Sequence, residues 1–165
     1  MKPKITKEPT HIFIVENDRM YINMLDYIFS KDFSYRFVNY KTGEECLDNM
    51  HLNPDIVVID YSLPGINGFE TLVEIKKNHP HVYVLVLLSD KDDKLPSELF
   101  EAGADDYILK ENLKEDEITD KIEAFLNREK FNLAISGTGK KSAFAKMYYL
   151  LLALLALSAG VYYYQ

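Results

Sequence analysis

The chain has 165 residues, 47% of them hydrophobic, and a formal net charge of −7. That length accommodates one ordinary domain with a sizeable core, plus an appendage. Residues 1–129 hold 15 basic and 26 acidic side chains, a net of −11, which excludes a DNA-binding face built on phosphate contacts.

The sole cysteine, Cys46, excludes an intramolecular disulfide and a cysteine-based zinc site, and it fits a reducing compartment. It falls in an amphipathic helical pattern and is expected to pack in the core. The start, "MKPKITKEPT", is polar and has no apolar signal-peptide core. Residues 1–10 are therefore expected to form a polar tail.

Strand-like runs and helix-period segments then alternate. Ile12 to Val15 is a continuous apolar run. Arg19–Ser30 reads as a helix with Met20, Met24, Leu25, Ile28 and Phe29 on one side. The strand pattern "YRFVNY" (35–40) follows, then a helix over Thr42–Met50 whose Thr42 and Glu45 match a capping box. Ile56 to Ile59 is a third strand, Phe69–Asn78 a helix, Val82 to Leu88 a fourth strand and Pro96–Ala102 a helix. Tyr107 to Leu109 makes the fifth strand. Lys114–Glu129 makes the fifth helix, with Ile118, Ile122, Phe125 and Leu126 inward. The runs at 12–15, 56–59 and 82–88 lack polar alternation, which marks strands covered on both faces. Five β-α repeats with right-handed crossovers predict an α/β fold, a doubly wound five-stranded parallel sheet of flavodoxin-like architecture spanning residues 11–129.

Residues 130–146 read as a basic linker carrying Lys130, Lys140, Lys141 and Lys146, which would be attracted to anionic lipid headgroups. Met147 to Tyr164 contains no charged residue. Eighteen helical residues at about 1.5 Å each span roughly 27 Å, close to the ~30 Å hydrocarbon core of a bilayer. Tyr148 and Tyr149 at one end and Tyr162, Tyr163 and Tyr164 at the other match aromatic belts. A single transmembrane helix over 147–164 is expected. The lysines before it keep the N-terminal domain in the cytoplasm by the positive-inside rule.

In a doubly wound sheet, ligands bind beyond the carboxyl ends of the strands. The first strand ends in Glu16-Asn17-Asp18, the third in Asp60, the fourth in Ser89-Asp90 and the fifth in Lys110. Crowded carboxylates repel and need a cation, and hard oxygen ligands suit Mg²⁺. Mg²⁺ and a lysine together would neutralise a phosphoryl group arriving on a carboxylate oxygen. Asp60 therefore reads as a nucleophile that becomes an aspartyl phosphate, with Ser89 placed to hydrogen-bond the phosphoryl oxygens. His11, His51, His79 and His81 are scattered near element ends and read as surface or boundary residues.

The motifs "IFIVEND", "PDIVVIDYSLPGINGFE", "VLVLLSD" and "EAGADDYILK" resemble those of the receiver domain of two-component response regulators, from about His11 to Arg128. The resemblance implies that Asp60 accepts a phosphoryl group from a histidine kinase, a phosphotransfer protein or a small phosphodonor. It implies that Glu16 and Asn17 hold the metal-binding acidic pair, with Asp60 and the Ser62 backbone carbonyl as further Mg²⁺ ligands. It makes Ser89 and Tyr107 the switch residues, and Lys110 the partner of the phosphoryl group. After Arg128 only linker and anchor are read, so with the acidic balance no nucleic acid, no enzymatic output and no small-molecule substrate beyond phosphodonors are expected, and the output is expected to be protein–protein contact, phosphate relay or sequestration at the membrane.

Three positions depart from the family pattern. Asn17 stands where an acid usually does, which removes one negative charge and should weaken Mg²⁺. Asp90 replaces a small residue after Ser89. Glu111 replaces the proline after Lys110, so the bond before it is expected to be trans with a different loop following. Asp18 reads either as a compensating ligand or as a helix-start charge.

Two function classes follow. One is a receiver tethered to the cytoplasmic face of the inner membrane, signalling to an unidentified output protein. The other is a pseudo-receiver, a membrane-anchored docking module independent of phosphorylation. A haloacid-dehalogenase-type phosphatase would need a second Asp where Ser62 stands. A flavodoxin-like carrier would need a Ser/Thr-rich loop where Glu16-Asn17-Asp18 stands.

Overall fold

The structure, a computed structural model, describes residues 9–89 and 94–137. The chain divides into two compact units, residues 1–119 and 120–165. The expected transmembrane helix at 147–164, most of the linker and Asp90 lie outside the described residues. Among those that are described, no helix is long and apolar enough to cross a membrane.

The first unit alternates strand and helix. β1 (Thr10–Val15) leads to α1 (Arg19–Ser30), β2 (Tyr35–Tyr40) to α2 (Gly43–Asp48), and β3 (Ile56–Asp60) to α3 (Gly68–Asn78). β4 (Tyr83–Leu88), α4 (Leu95–Glu101) and β5 (Asp106–Leu109) complete the first unit's order with the start of α5 (Glu115–Gly137), which runs on through the second unit, and short 3₁₀ turns lie at Met50–Leu52 and Lys110–Asn112. The five strands form one parallel sheet in the order β2-β1-β3-β4-β5. The expected α/β sheet is thus present.

The continuous apolar runs do what their composition demands. Every residue of β3 and β4 is buried. On one face Phe13, Val15, Val57, Ile59, Val84 and Val86 cluster with Cys46 of α2 and Leu72 and Ile75 of α3. Strand alternation turns Ile12, Ile14, Ile56 and Val58 to the opposite face. There Phe29 of α1 packs its ring against Tyr35 and Phe37 of β2. Each fully buried large side chain contributes about 1.5–3 kcal/mol relative to exposure. Burial pushes the Cys46 thiol up to about 12, so it behaves as a small apolar side chain.

Two local expectations are corrected. Met20 is 62% exposed, whereas Leu25, Ile28 and Phe29 are buried. The inward stripe of α1 begins at Tyr21, which precedes Leu25 by one helical turn. At the start of α2, Thr42 accepts the Glu45 amide, but the Glu45 carboxylate accepts the amide of Lys41 rather than that of Thr42. The complete reciprocal box is at α3, where Asn67 and Glu70 cap one another.

α5 continues to Gly137, so helix covers residues 130–137 of the expected linker. In the first unit Ile118 is buried. In the second, Ile122 is buried and Phe125 and Leu126 are half-buried.

Candidate functional site

Strand register assembles the site. Val15 pairs with Ile59, so the next residues, Glu16 and Asp60, emerge side by side at the carboxyl ends of β1 and β3. Glu16 still donates its amide to Tyr40 O at 3.0 Å, which holds it in the plane of the sheet. Leu88 pairs with Leu109, so Lys110 leaves β5 at the same edge. Its four-carbon stem reaches back across β4 to both carboxylates.

The Lys110 Nζ lies 2.8 Å from Asp60 Oδ2 and 2.7 Å from Glu16 Oε2. All three residues are buried, with relative exposures of 9%, 3% and 0% for Lys110, Asp60 and Glu16. One ammonium thus serves two buried carboxylates. Burial, followed by the Asp60 charge, pushes the Glu16 carboxyl up, although Lys110 and the Asp18 amide pull it back. Burial draws Lys110 down, but the hydrogen bonds and charges of Asp60 and Glu16 outweigh it and hold the ammonium above the ordinary lysine range.

The β1–α1 turn is fixed by two carboxylates. Glu16 Oε1 accepts the amides of Asn17 at 3.0 Å and Asp18 at 2.9 Å. Asp18 is the N-cap of α1, and its side chain accepts the Met20 amide at 2.7 Å. Asp18 thus takes the helix-start role through its Oδ1. Asn17 is exposed at the rim.

The other expected residues fall around this trio. Ser62 is exposed in the turn after β3, two residues beyond Asp60. Ser89 is exposed directly after β4. Tyr107 is half-buried on β5 and meets Phe100 of α4 edge to face, with centroids 5.9 Å apart. The Lys110–Glu111 bond is trans, as the missing proline predicts, and lies within a 3₁₀ turn over Lys110–Asn112.

Three contributors were not anticipated from sequence. The Tyr21 ring lies beneath the Lys110 ammonium, 4.3 Å from Nζ to centroid. Glu44 of α2 reaches across to the β3–α3 loop and accepts the Ile66 amide at 2.9 Å, beside Gly65, whose φ of +79° suits glycine. That hydrogen bond holds the Glu44 carboxyl below its usual range. Gly68 opens α3 hard against the Asp60 main chain, where a Cβ would collide with the Asp60 carbonyl. Of these, only the start of α3 had a sequence signal, Asn67 three residues before Glu70.

Among the described residues, Asp60 Oδ1 is buried without a hydrogen-bond partner. An orphaned carboxylate oxygen of this kind suits a cation or an electrophile. No group of three or more His, Cys, Asp or Glu side chains able to hold a metal occurs among the described residues. The oxygen donors present here are two carboxylates, the Asn17 amide and main-chain carbonyls, a set that fits a hard divalent cation retaining several waters.

A family model for the response regulator receiver domain matches residues 12–123. The response regulator GacA of Pseudomonas aeruginosa is 36% identical over 69 residues, which are 41% of this chain and 32% of that protein. The response regulator protein VraR of Staphylococcus aureus is 29% identical over 100 residues, 60% of this chain and 48% of that one. The chain therefore spans about a third to a half of the length of these curated relatives. Among solved structures, the BeF3-activated receiver domain of DrrB superimposes with a TM-score of 0.66 at 28% identity, covering 72% of this chain and 98% of that one. The response regulator DrrB of Thermotoga maritima gives 0.66 at 29% identity, over 73% of this chain and 54% of that one.

Proposed function

The chain belongs to the response regulator receiver domain family, and from that premise we propose that Asp60 accepts a phosphoryl group from a histidine kinase, a phosphotransfer protein or a small phosphodonor. The observation that carries this reading is the Lys110 ammonium, 2.8 Å from Asp60 Oδ2, beside a buried Oδ1 without a hydrogen-bond partner among the described residues.

The step is a displacement at phosphorus. Asp60 Oδ1 forms the new P–O bond while the bond to the donor's histidine nitrogen breaks, and that nitrogen leaves with the electron pair. Lys110 stabilises the charge on the incoming phosphoryl oxygens. Ser89, exposed directly after β4, would donate its hydroxyl to one of them. Tyr107, already packed on Phe100, is the element whose rotation would report occupancy to a partner. Glu16, Asp60, the Asn17 amide oxygen and the Ser62 carbonyl are the groups that would hold Mg²⁺. When bound, Mg²⁺ supplies further neutralisation of phosphoryl charge.

The proposal extends to the membrane. The uncharged stretch 147–164 supports a single-pass anchor, with the receiver at the cytoplasmic face of the inner membrane and an output protein contacted there. Carbonate extraction and protease protection of the full chain test this. A chain released by carbonate would end the anchor reading.

For the chemistry, the full chain in detergent is incubated with acetyl phosphate and Mg²⁺ and weighed intact, with Asp60→Ala as control. One added phosphoryl group, absent in the control, supports the receiver reading. No gain at any Mg²⁺ concentration rejects it in favour of a docking module independent of phosphorylation. The exposed Asn17 amide in the acidic pair is the observation that favours that second reading.

A further inference from the structure

The ring of Tyr21 has no part in the chemistry as described so far. It stands on the first turn of α1, at a place fixed by the turn before it. Glu16 Oε1 takes the Asn17 and Asp18 amides, and Asp18 takes the Met20 amide. These bonds fix the first residues of α1 relative to the end of β1. Tyr21 is therefore presented to the strand ends by the same carboxylate that pairs with Lys110.

A lysine ammonium has three N–H donors on a flexible stem. Here Glu16 Oε2 and Asp60 Oδ2 occupy two sides, at 2.7 and 2.8 Å. The face of Tyr21 occupies a third, with its centroid 4.3 Å away. An aromatic face within about 6 Å attracts a cation through its quadrupole, most strongly where water is excluded. Lys110 is buried, so this contact operates in the stronger regime.

We infer that Tyr21 is a positioning residue for phosphoryl acceptance, its ring face holding the Lys110 ammonium over the two carboxylates so that it meets the incoming phosphoryl oxygens. This rests on the phosphoacceptor reading of Asp60 and deepens it. When a phosphoryl group arrives, the ammonium must exchange a carboxylate contact for a phosphoryl oxygen. The ring is uncharged and does not compete for that bond. It limits the travel of the stem, so the ammonium stays at the site instead of swinging out to water. The π-face carries this role and the phenolic hydroxyl does not. Phenylalanine therefore preserves it, and leucine, apolar but smaller and without a π-face, does not.

The test uses the full chain in detergent with acetyl phosphate and Mg²⁺, comparing Tyr21→Phe, Tyr21→Leu and Tyr21→Met. The saturating labelling rate is expected to fall about three- to tenfold in the Leu and Met variants and to stay within about twofold for Phe. The acetyl phosphate concentration giving half that rate is expected to hold. Binding of Mg²⁺ alone, measured by calorimetry, is expected to be unchanged, because no ligand is removed. In the free protein, the Lys110 ε-methylene protons are expected upfield in wild type and Phe variant, and at ordinary shift in the Leu variant.

Labelling of the Leu and Met variants at the wild-type rate would overturn the role. So would a Phe variant as slow as Leu, because the ring face would then not be the cause. A wild-type chain that takes no phosphoryl group, with the ring-current shift intact, removes the phosphoacceptor reading and this role with it. A labelled wild type without that shift removes this role alone.

Discussion

The Lys110 ammonium stands 2.8 Å from Asp60 Oδ2 while also bound to Glu16, so one buried cation is divided between two buried anions. The trio carries a net negative charge in a region nearly closed to water. A site of this kind is held together by the surrounding fold at some cost to stability. Asp60→Asn keeps the shape and leaves a neutral Lys110–Glu16 pair. Its thermal midpoint is expected to rise by about 4 °C, equivalent to ~1 kcal/mol for a domain of this size. Differential scanning calorimetry checks this, and a lowered midpoint would contradict the picture of surplus negative charge.

Lys110→Met does the reverse and leaves Glu16 and Asp60 facing each other unneutralised. The loss at pH 7 is expected to be about 3 kcal/mol. The sign of its pH dependence follows from Glu16, whose folded carboxyl is already raised by burial and by Asp60. An acid with a raised folded pKa favours folding when protonated. Stability is therefore lost as pH climbs from the unfolded value of about 4.3 through the folded one. The gap between wild type and variant should be small near pH 4 and full at neutral pH. Urea denaturation across that range reads it, and a gap that widens on acidification would exclude this assignment.

Asn17 is exposed at the rim and brings an amide where a carboxylate would add charge. Asn17→Asp is expected to tighten Mg²⁺ binding roughly tenfold, because ligand charge is a main determinant of affinity for hard cations. The chain has no tryptophan, so calorimetry is the suitable readout. Equal affinities would place the metal away from the β1–α1 turn.

Glu44 links α2 to the loop that carries Ser62, through its bond to the Ile66 amide at 2.9 Å. Its lowered pKa means that this support is complete above the unfolded value of about 4.3 and disappears as pH falls through the folded one. The Ile66 amide resonance should therefore titrate with a midpoint below the ordinary glutamate range. Amide exchange at Ile66 should quicken in Glu44→Gln at neutral pH. An Ile66 amide indifferent to both would mean that the bond is absent in solution.

Gly68 has no room for a side chain, because a Cβ would meet the Asp60 carbonyl and Tyr61 Cα. Both obstacles are main chain and cannot rotate away. Gly68→Ala is expected to cost about 1–3 kcal/mol and to slow acetyl phosphate labelling as α3 shifts off the Asp60 backbone. A variant as stable as wild type would show that α3 can slide without penalty.

Much of this architecture was legible because it rests on short-range patterns. Continuous apolar runs gave the buried strands, and the polar residues ending them gave Glu16, Asp60, Ser89 and Lys110. The errors lie where a pattern depends on its surroundings. Helical periodicity allowed Met20 on the inner face of α1, yet the stripe that is buried runs from Tyr21 through Leu25 and Ile28. Thr42 and Glu45 had capping-box spacing, but the Glu45 carboxylate found the Lys41 amide instead.

By itself the sequence determined which residues must be buried and which polar groups must interrupt that burial, because apolar burial and strand alternation act on neighbours along the chain. Only the tertiary structure decided which of those groups meet. Parallel register set Glu16 beside Asp60, the pairing of β4 with β5 brought Lys110 back to them, and the turn into α1 put Tyr21 against the ammonium. Those contacts join residues up to 94 positions apart, from Glu16 to Lys110, and no local preference of the chain encodes them.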